Sequence, residues 1–303
     1  MGGSFSITRR MMVGGGASSL LLSGACQHVA PRALAKDVAL LRRSYETLHP
    51  GLYRYNTQAE MDGHFDRLAA AWSIGQTPGE AYLSLSRFLA RVRCGHTYAN
   101  FFNQDKQVSN ELFAGRDKLP FHFRWIDRRM IVTDGKRVEG LRAGDEISAV
   151  NGRATGDILR EVMAFARADG SNDAKRIAQV NVIGLERFET FDVLYALLYP
   201  SDGAFNLSVR SQRDGAVRRI IAEPIDLEAR RAQMAQANVD ENAAAFTLEF
   251  TAGNVAVLRM PNWALYDKKW DWKGFIDDAF RQMADKHAPA LIVDVRGNEG
   301  GLD

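Results

Sequence analysis

Leu291-Ile292-Val293-Asp294-Val295-Arg296-Gly297-Asn298-Glu299-Gly300-Gly301 is the stretch on which the fold turns. It opens as an aliphatic run, which suits a strand covered on both faces of a parallel sheet. It then breaks into a turn with three glycines, where the backbone can come close to a ligand because no Cβ intervenes. Amide N–H groups at such a strand end are well placed to hold the charge of a tetrahedral intermediate. Upstream, Val255-Ala256-Val257-Leu258-Arg259-Met260 repeats the apolar run. Between the two, Phe275, Ile276, Ala279, Phe280 and Met283 recur at helical spacing. Strand, helix, strand predicts a βαβ unit with a right-handed crossover. Only eight residues, the last of them Asp303, follow the second strand, so the reading is of an α/β core begun and not completed.

Working outward, Glu228 to Asn242 is polar and Ala-rich, the pattern of a helical connector. Before it lies a β-rich stretch. Phe121-His122-Phe123-Arg124-Trp125 alternates, and Met130-Ile131-Val132 reads as its hairpin partner across Asp127-Arg128. Gly144-Asp145-Glu146-Ile147 and Val150-Asn151-Gly152 give a turn, a short strand and an Asn-Gly turn. Thr155 is expected to cap a helix carrying Ile158, Leu159, Val162, Met163 and Phe165, and strands near 205–210 and 216–221 close the sheet. Three helices precede all this. The first spans Lys36 to Leu48 and stops at Pro50-Gly51. The others begin at the capping boxes Thr57-Gln58-Ala59-Glu60 and Thr77-Pro78-Gly79-Glu80.

Composition narrows the class. Of 303 residues, 46% are hydrophobic and 25% charged, with 8 Pro, so disordered and collagen-like readings fall away. The net charge of +2 owes itself to Arg9, Arg10 and Arg32, and a chain without them lacks the basic excess of a nucleic-acid binder. Cys26 and Cys94 are the only cysteines, which excludes a disulfide framework and a four-cysteine zinc site. G-x-S-x-G, H-E-x-x-H, P-loop and G-x-G-x-x-G signatures are missing. The six histidines are scattered, and no metal or organic cofactor is expected.

Residues 1–35 read as an export signal of the twin-arginine kind. Thr8-Arg9-Arg10 supplies the charged region and Met11 to Ala25 the apolar one, a run too short to span a bilayer. Cleavage after Ala33-Leu34-Ala35 predicts a periplasmic or extracytoplasmic protein with no transmembrane span. Lipoprotein processing at Cys26 is the competing reading.

With these residues in view, the chain resembles the S41 serine peptidases, the C-terminal-processing and tricorn-like group. The strand with its D-x-R-x-N-x-G-G turn resembles the core motif of that family. His49-Pro50-Gly51-Leu52-Tyr53 is similar to its N-terminal helix-end motif, and Cys94-Gly95-His96-Thr97 to its G-H-T element. The resemblance implies an α+β multidomain protein. An N-terminal helical domain (36–105) and a PDZ-like domain (106–225) come first. A connector (226–244) leads to the start of a crotonase/ClpP-like α/β catalytic domain (245–303). It implies that His96 is the general base, that Gly300 and Gly301 belong to the oxyanion-hole region, and that the PDZ-like domain takes an extended peptide by strand addition. The substrate is a polypeptide. In the family the nucleophilic serine follows the Gly-Gly by several dozen residues, so the expectation is a serine beyond Asp303 and an inactive fragment as written.

Three further readings stand beside the resemblance. If 94–97 were extended, Cys94 and His96 would share a face and a Cys-His dyad would be open; a buried small apolar Cys94 is the plainer reading. Trp263, Tyr266, Trp270 and Trp272 either line a groove or pack under a loop. The rival function is a non-catalytic binding protein for peptides or apolar ligands on the same scaffold.

Overall fold

Capping boxes set where the first helices start. Thr57 N–H donates to Glu60 at 2.7 Å while Thr57 Oγ1 accepts from Glu60 N–H at 3.3 Å, and Thr77 with Glu80 repeats the pair. The computed structural model describes residues 31–201, 203–234, 244–265, 269–298, 300 and 301. The twin-arginine stretch, Cys26, Tyr266 and residues 235–243 of the expected connector lie outside them. Helices α1 (Pro31–Leu48), α2 (Gln58–Ser73) and α3 (Pro78–Val92) bury Leu41, Phe65, Trp72, Phe88 and Val92 in one core. α1 begins ahead of the expected Lys36, and Leu34, inside the span read as signal, is buried in that core. A short helix, α4 (Lys106–Phe113), follows; Asp105 caps it by accepting from Val108 N–H at 2.9 Å.

Two tight turns then organise a sheet. β1 (His122–Ile126) and β2 (Arg129–Asp134) are joined by Asp127 and Arg128, both at positive φ (49° and 62°). β3 (Glu146–Val150) and β4 (Arg153–Ala154) are joined by Asn151 and Gly152 at 50° and 79°. Positive φ at both central residues matches the right-handed strand twist. After them come α5 (Thr155–Met163), α6 (Asp173–Gln179), α7 (Thr190–Leu198), β5 (Phe205–Arg210), β6 (Val217–Ala222) and α8 (Leu227–Arg231). The sheet order is β1-β2-β3-β5-β6, antiparallel throughout, with β4 beside β3. Its buried face, including Phe123, Met130, Ile147 and Leu207, packs with Ile158 and Val162 of α5 and Phe191 and Leu194 of α7. Thr155 does not cap α5 as expected: Ala154 holds the cap position without a side-chain bond, and Thr155 Oγ1 donates to Ile147 O at 2.9 Å.

Buried polar groups hold the turns of this sheet. Asp145 is 3% exposed and accepts from Arg142 N–H, Gln212 N–H and the Arg218 guanidinium at 3.1, 3.3 and 2.6 Å. Arg230 of α8 is fully buried and pairs with Asp192 of α7 through two bonds of 2.7 and 3.2 Å. A third core, with Tyr82, Phe113, Phe188, Val193 and Leu227, joins α3, α4, α7 and α8. The helical and sheet regions therefore fold as one compact unit ending at Ala235, a boundary inside the connector expected at 226–244.

The second unit, residues 236–303, contains β7 (Thr247–Phe250), β8 (Ala256–Arg259), α9 (Trp272–Asp285) and β9 (Leu291–Asp294). β8 and β9 run parallel, as the βαβ pattern predicts, and β7 adds antiparallel to β8. Ala279 and Met283 of α9 pack on Ala256, whereas Phe280 is 56% exposed. β9 departs from the expectation of a strand covered on both faces. Leu291, Ile292 and Val293 are 37%, 51% and 49% exposed, because among the described residues β9 is an edge strand with only β8 beside it. No helix among the described residues is long and apolar enough to cross a membrane.

Candidate active site

The two N-terminal motifs meet in the first unit. α3 ends at Arg93, whose left-handed conformation (φ 59°) turns the chain out of the helix. Cys94 to Thr97 then forms a turn closed by Thr97 N–H to Cys94 O at 3.0 Å. Gly95 N–H donates to Asp169 Oδ1 at 2.9 Å, and Gly170 N–H donates to Arg93 O at 3.0 Å. A Cβ at Gly95 would lie 2.7 Å from Asp169 Oδ2, so glycine is required by close approach.

On the other side of the turn stands His49. Gly51 N–H donates to His49 Nδ1 at 3.2 Å, which leaves the ring proton on Nε2. Nε2 faces Thr97 Oγ1 at 3.4 Å, and burial holds the His49 imidazole below its ordinary pKa. Tyr45 stacks on His49 at 5.6 Å between centroids, and burial pushes its phenol up to about 12. The turn is thus gripped through Thr97, Gly95 and Arg93, and it presents His96 exposed to solvent. Because 94–97 is a closed turn and not extended backbone, the premise of a Cys94–His96 dyad fails. Cys94 is half-buried and packs on the helical core.

The glycine turn lies in the second unit. Asp294 closes β9 and is clamped by Arg296, with both guanidinium bonds at 2.8 Å. Arg296 and then Arg259, at 3.3 Å, hold the Asp294 carboxyl well below the usual carboxylate range. Asn298 ties the turn to β8 by donating to Met260 O at 2.8 Å and accepts from Gly300 N–H at 2.8 Å. Gly297 and Gly300 sit at φ 82° and 101°, a region where side chains are strained. The chain then runs beside Trp263: Trp263 N–H donates to Gly300 O at 3.1 Å. At Gly301 a Cβ would fall 1.9 Å from the Trp263 backbone.

Each residue of the D-x-R-x-N-x-G-G pattern therefore has a local reason. The Gly300 amide is taken by Asn298, while the Trp263 bond uses the Gly300 carbonyl and leaves the Gly301 N–H out of it. Trp270 packs edge-on against Phe246 at 5.3 Å and beside Phe275 at 5.2 Å, so it belongs to a packed cluster. Trp263 and Trp272 are 40% and 37% exposed. Asp169 is the site residue that the sequence did not offer: 74 residues separate it from Gly95, and no local pattern marks it.

Residues 254–303 match the family model described as peptidase family S41. The match covers β8, α9, β9 and the glycine turn. No curated protein matches the chain.

Proposed function

We propose, from the match of residues 254–303 to the peptidase family S41 model, that the protein is an exported serine peptidase acting on polypeptides. The observation that carries this reading is the glycine turn after β9, whose backbone is shaped by Asn298 and by two glycines at positive φ. A serine following Asp303 attacks the scissile carbonyl, and His96 takes its proton as general base. The Gly300–Gly301 backbone, through the Gly301 amide, holds the oxyanion. The protonated His96 returns the proton to the leaving amine, and water then releases the acyl group. The β1–β6 sheet under α5 and α7 serves as a PDZ-like domain. Export is by the twin-arginine segment. The burial of Leu34 favours processing ahead of Pro31, as at Cys26, over cleavage after Ala35.

Hydrolysis of an unfolded polypeptide by the natural protein tests the assignment. His96→Ala lowers kcat/KM by about 10²–10⁴-fold, the usual contribution of a positioned base. Unchanged turnover in that variant overturns the role of His96.

A further inference from the structure

Away from the His96 turn, the first half of α2 and the end of α3 line a cavity of about 350 Å³, within the size range of small-molecule sites. Arg67 of α2, Arg91 in the last turn of α3 and Arg93 just after it share its wall with Asn56, Glu60 and His64. Local structure puts each cation there. Gly63 stands one turn before Arg67, and a Cβ on it would meet Arg67 Nη1 at 3.4 Å, so the glycine leaves room for the guanidinium where a helix interior would favour alanine. Arg67 donates to His64 Nδ1, which leaves the ring proton on Nε2. Asn56 Nδ2 donates to Arg91 O at 2.9 Å and Arg93 Nη1 donates to Tyr55 O at 3.3 Å, tying the segment ahead of α2 to the end of α3.

The charges in this wall do not balance. Among the described residues, no carboxylate lies within ion-pairing distance of Arg67, Arg91 or Arg93. Glu60 is the one acid among the described lining residues, and its Oε2 is engaged by Thr57 N–H and Oγ1 at 2.7 and 2.9 Å. Burial, then the charges of Arg67 and Arg91, hold the His64 imidazole below its ordinary pKa, so it is neutral near pH 7. Three guanidiniums against one carboxylate leave an excess of two positive charges on one cavity. A dianion cancels that excess, and the planar guanidinium fork matches the oxygens of a phosphate group. A single carboxylate cancels only half of it.

We propose that this cavity is a binding site for a dianionic oxyanion of the phosphate class, either free phosphate or the phosphate group of a small monoester, held by Arg67, Arg91 and Arg93. The bound anion links α2, the end of α3 and the segment ahead of α2, and so raises the stability of the first unit. The inference rests on the charges and geometry of this cavity and not on the peptidase reading, so either can fail alone.

The test titrates the full chain with inorganic phosphate near pH 8, at ionic strength held constant with sodium chloride, and follows the melting temperature. Phosphate raises it with a Kd of about 0.1–1 mM, and acetate binds at least about tenfold more weakly. Arg67→Gln and Arg91→Gln each weaken phosphate binding about tenfold, whereas Arg219→Gln, at an exposed position of β6, leaves it unchanged. Glycerol 3-phosphate forms the second arm: tighter binding than phosphate assigns the site to a monoester, and equal or weaker binding assigns it to the free ion. A phosphate effect no larger than that of chloride at the same ionic strength, or one that survives both arginine substitutions, overturns the proposal. NMR of the unaltered chain decides the matter if the variants do not fold. The Arg67, Arg91 and Arg93 Nε–H resonances shift with phosphate while that of Arg219 stays; no shift at the three, or equal shifts at all four, overturns it.

Discussion

Gly95 is the residue on which the His96 turn depends, because the Asp169 carboxylate already fills the space a Cβ would need. Gly95→Ala costs about 1–3 kcal/mol, the usual penalty for forcing atoms into a packed site. Urea unfolding measures it, and the cost shrinks when Asp169→Ala is combined with it, since neighbours in contact do not add. Equal costs in both backgrounds would show that Asp169 does not shape the turn. Glu189 supplies a second residue-scale prediction. Burial first and then the Asp192 charge raise its carboxyl from 4.5 to about 7, against the Gly184 and Ile183 amides. Its folded pKa exceeds its unfolded one, so its stabilising contribution is full below about pH 4.5 and is lost as pH rises through about 7. Glu189→Gln keeps the acceptor and removes the charge. The variant is more stable than the parent by about 2 kcal/mol near pH 8.5, and the gap closes toward pH 4. A gap independent of pH contradicts this origin. His122 works the other way, lowered by burial and by Arg230, but it is common to both proteins.

Elements were legible where their signals are local. Thr57 and Thr77 each announce a helix through a glutamate three residues on, and both capping boxes form. Thr57→Ala and Thr77→Ala each cost about 1 kcal/mol in thermal or chemical unfolding, and no loss at either site would show that packing alone fixes that helix start. The Asn151-Gly152 turn and the β8–α9–β9 pattern were readable for the same reason. α7 was not. Its Thr190–Leu198 segment is buried continuously from Phe191 to Ala196, so it shows neither the period of an amphipathic helix nor the alternation of a strand. Asn181 and Asp169 act on residues 56 and 74 positions away, and such pairings leave no trace in local sequence. β9 was recognised as a strand from its apolar run, yet that run is exposed at a sheet edge.

At the scale of the molecule, the expected helical and PDZ-like segments share the Tyr82–Phe113–Phe188 core and make one unit, and the segment that matches the S41 family model lies in the other. His96 belongs to the first and the glycine turn to the second. The D-x-R-x-N-x-G-G pattern was legible as a motif, while the reasons for its residues emerged only with the Asp294–Arg296 and Asn298 contacts. The central claim is serine-peptidase chemistry, and a fluorophosphonate probe reports on it directly. The natural protein is labelled, the adduct is mapped by mass spectrometry, and the rate is compared with that of His96→Ala. The account predicts one adduct, on a serine that follows residue 303, formed more slowly in the variant. An adduct within residues 31–303, or none at all, contradicts it.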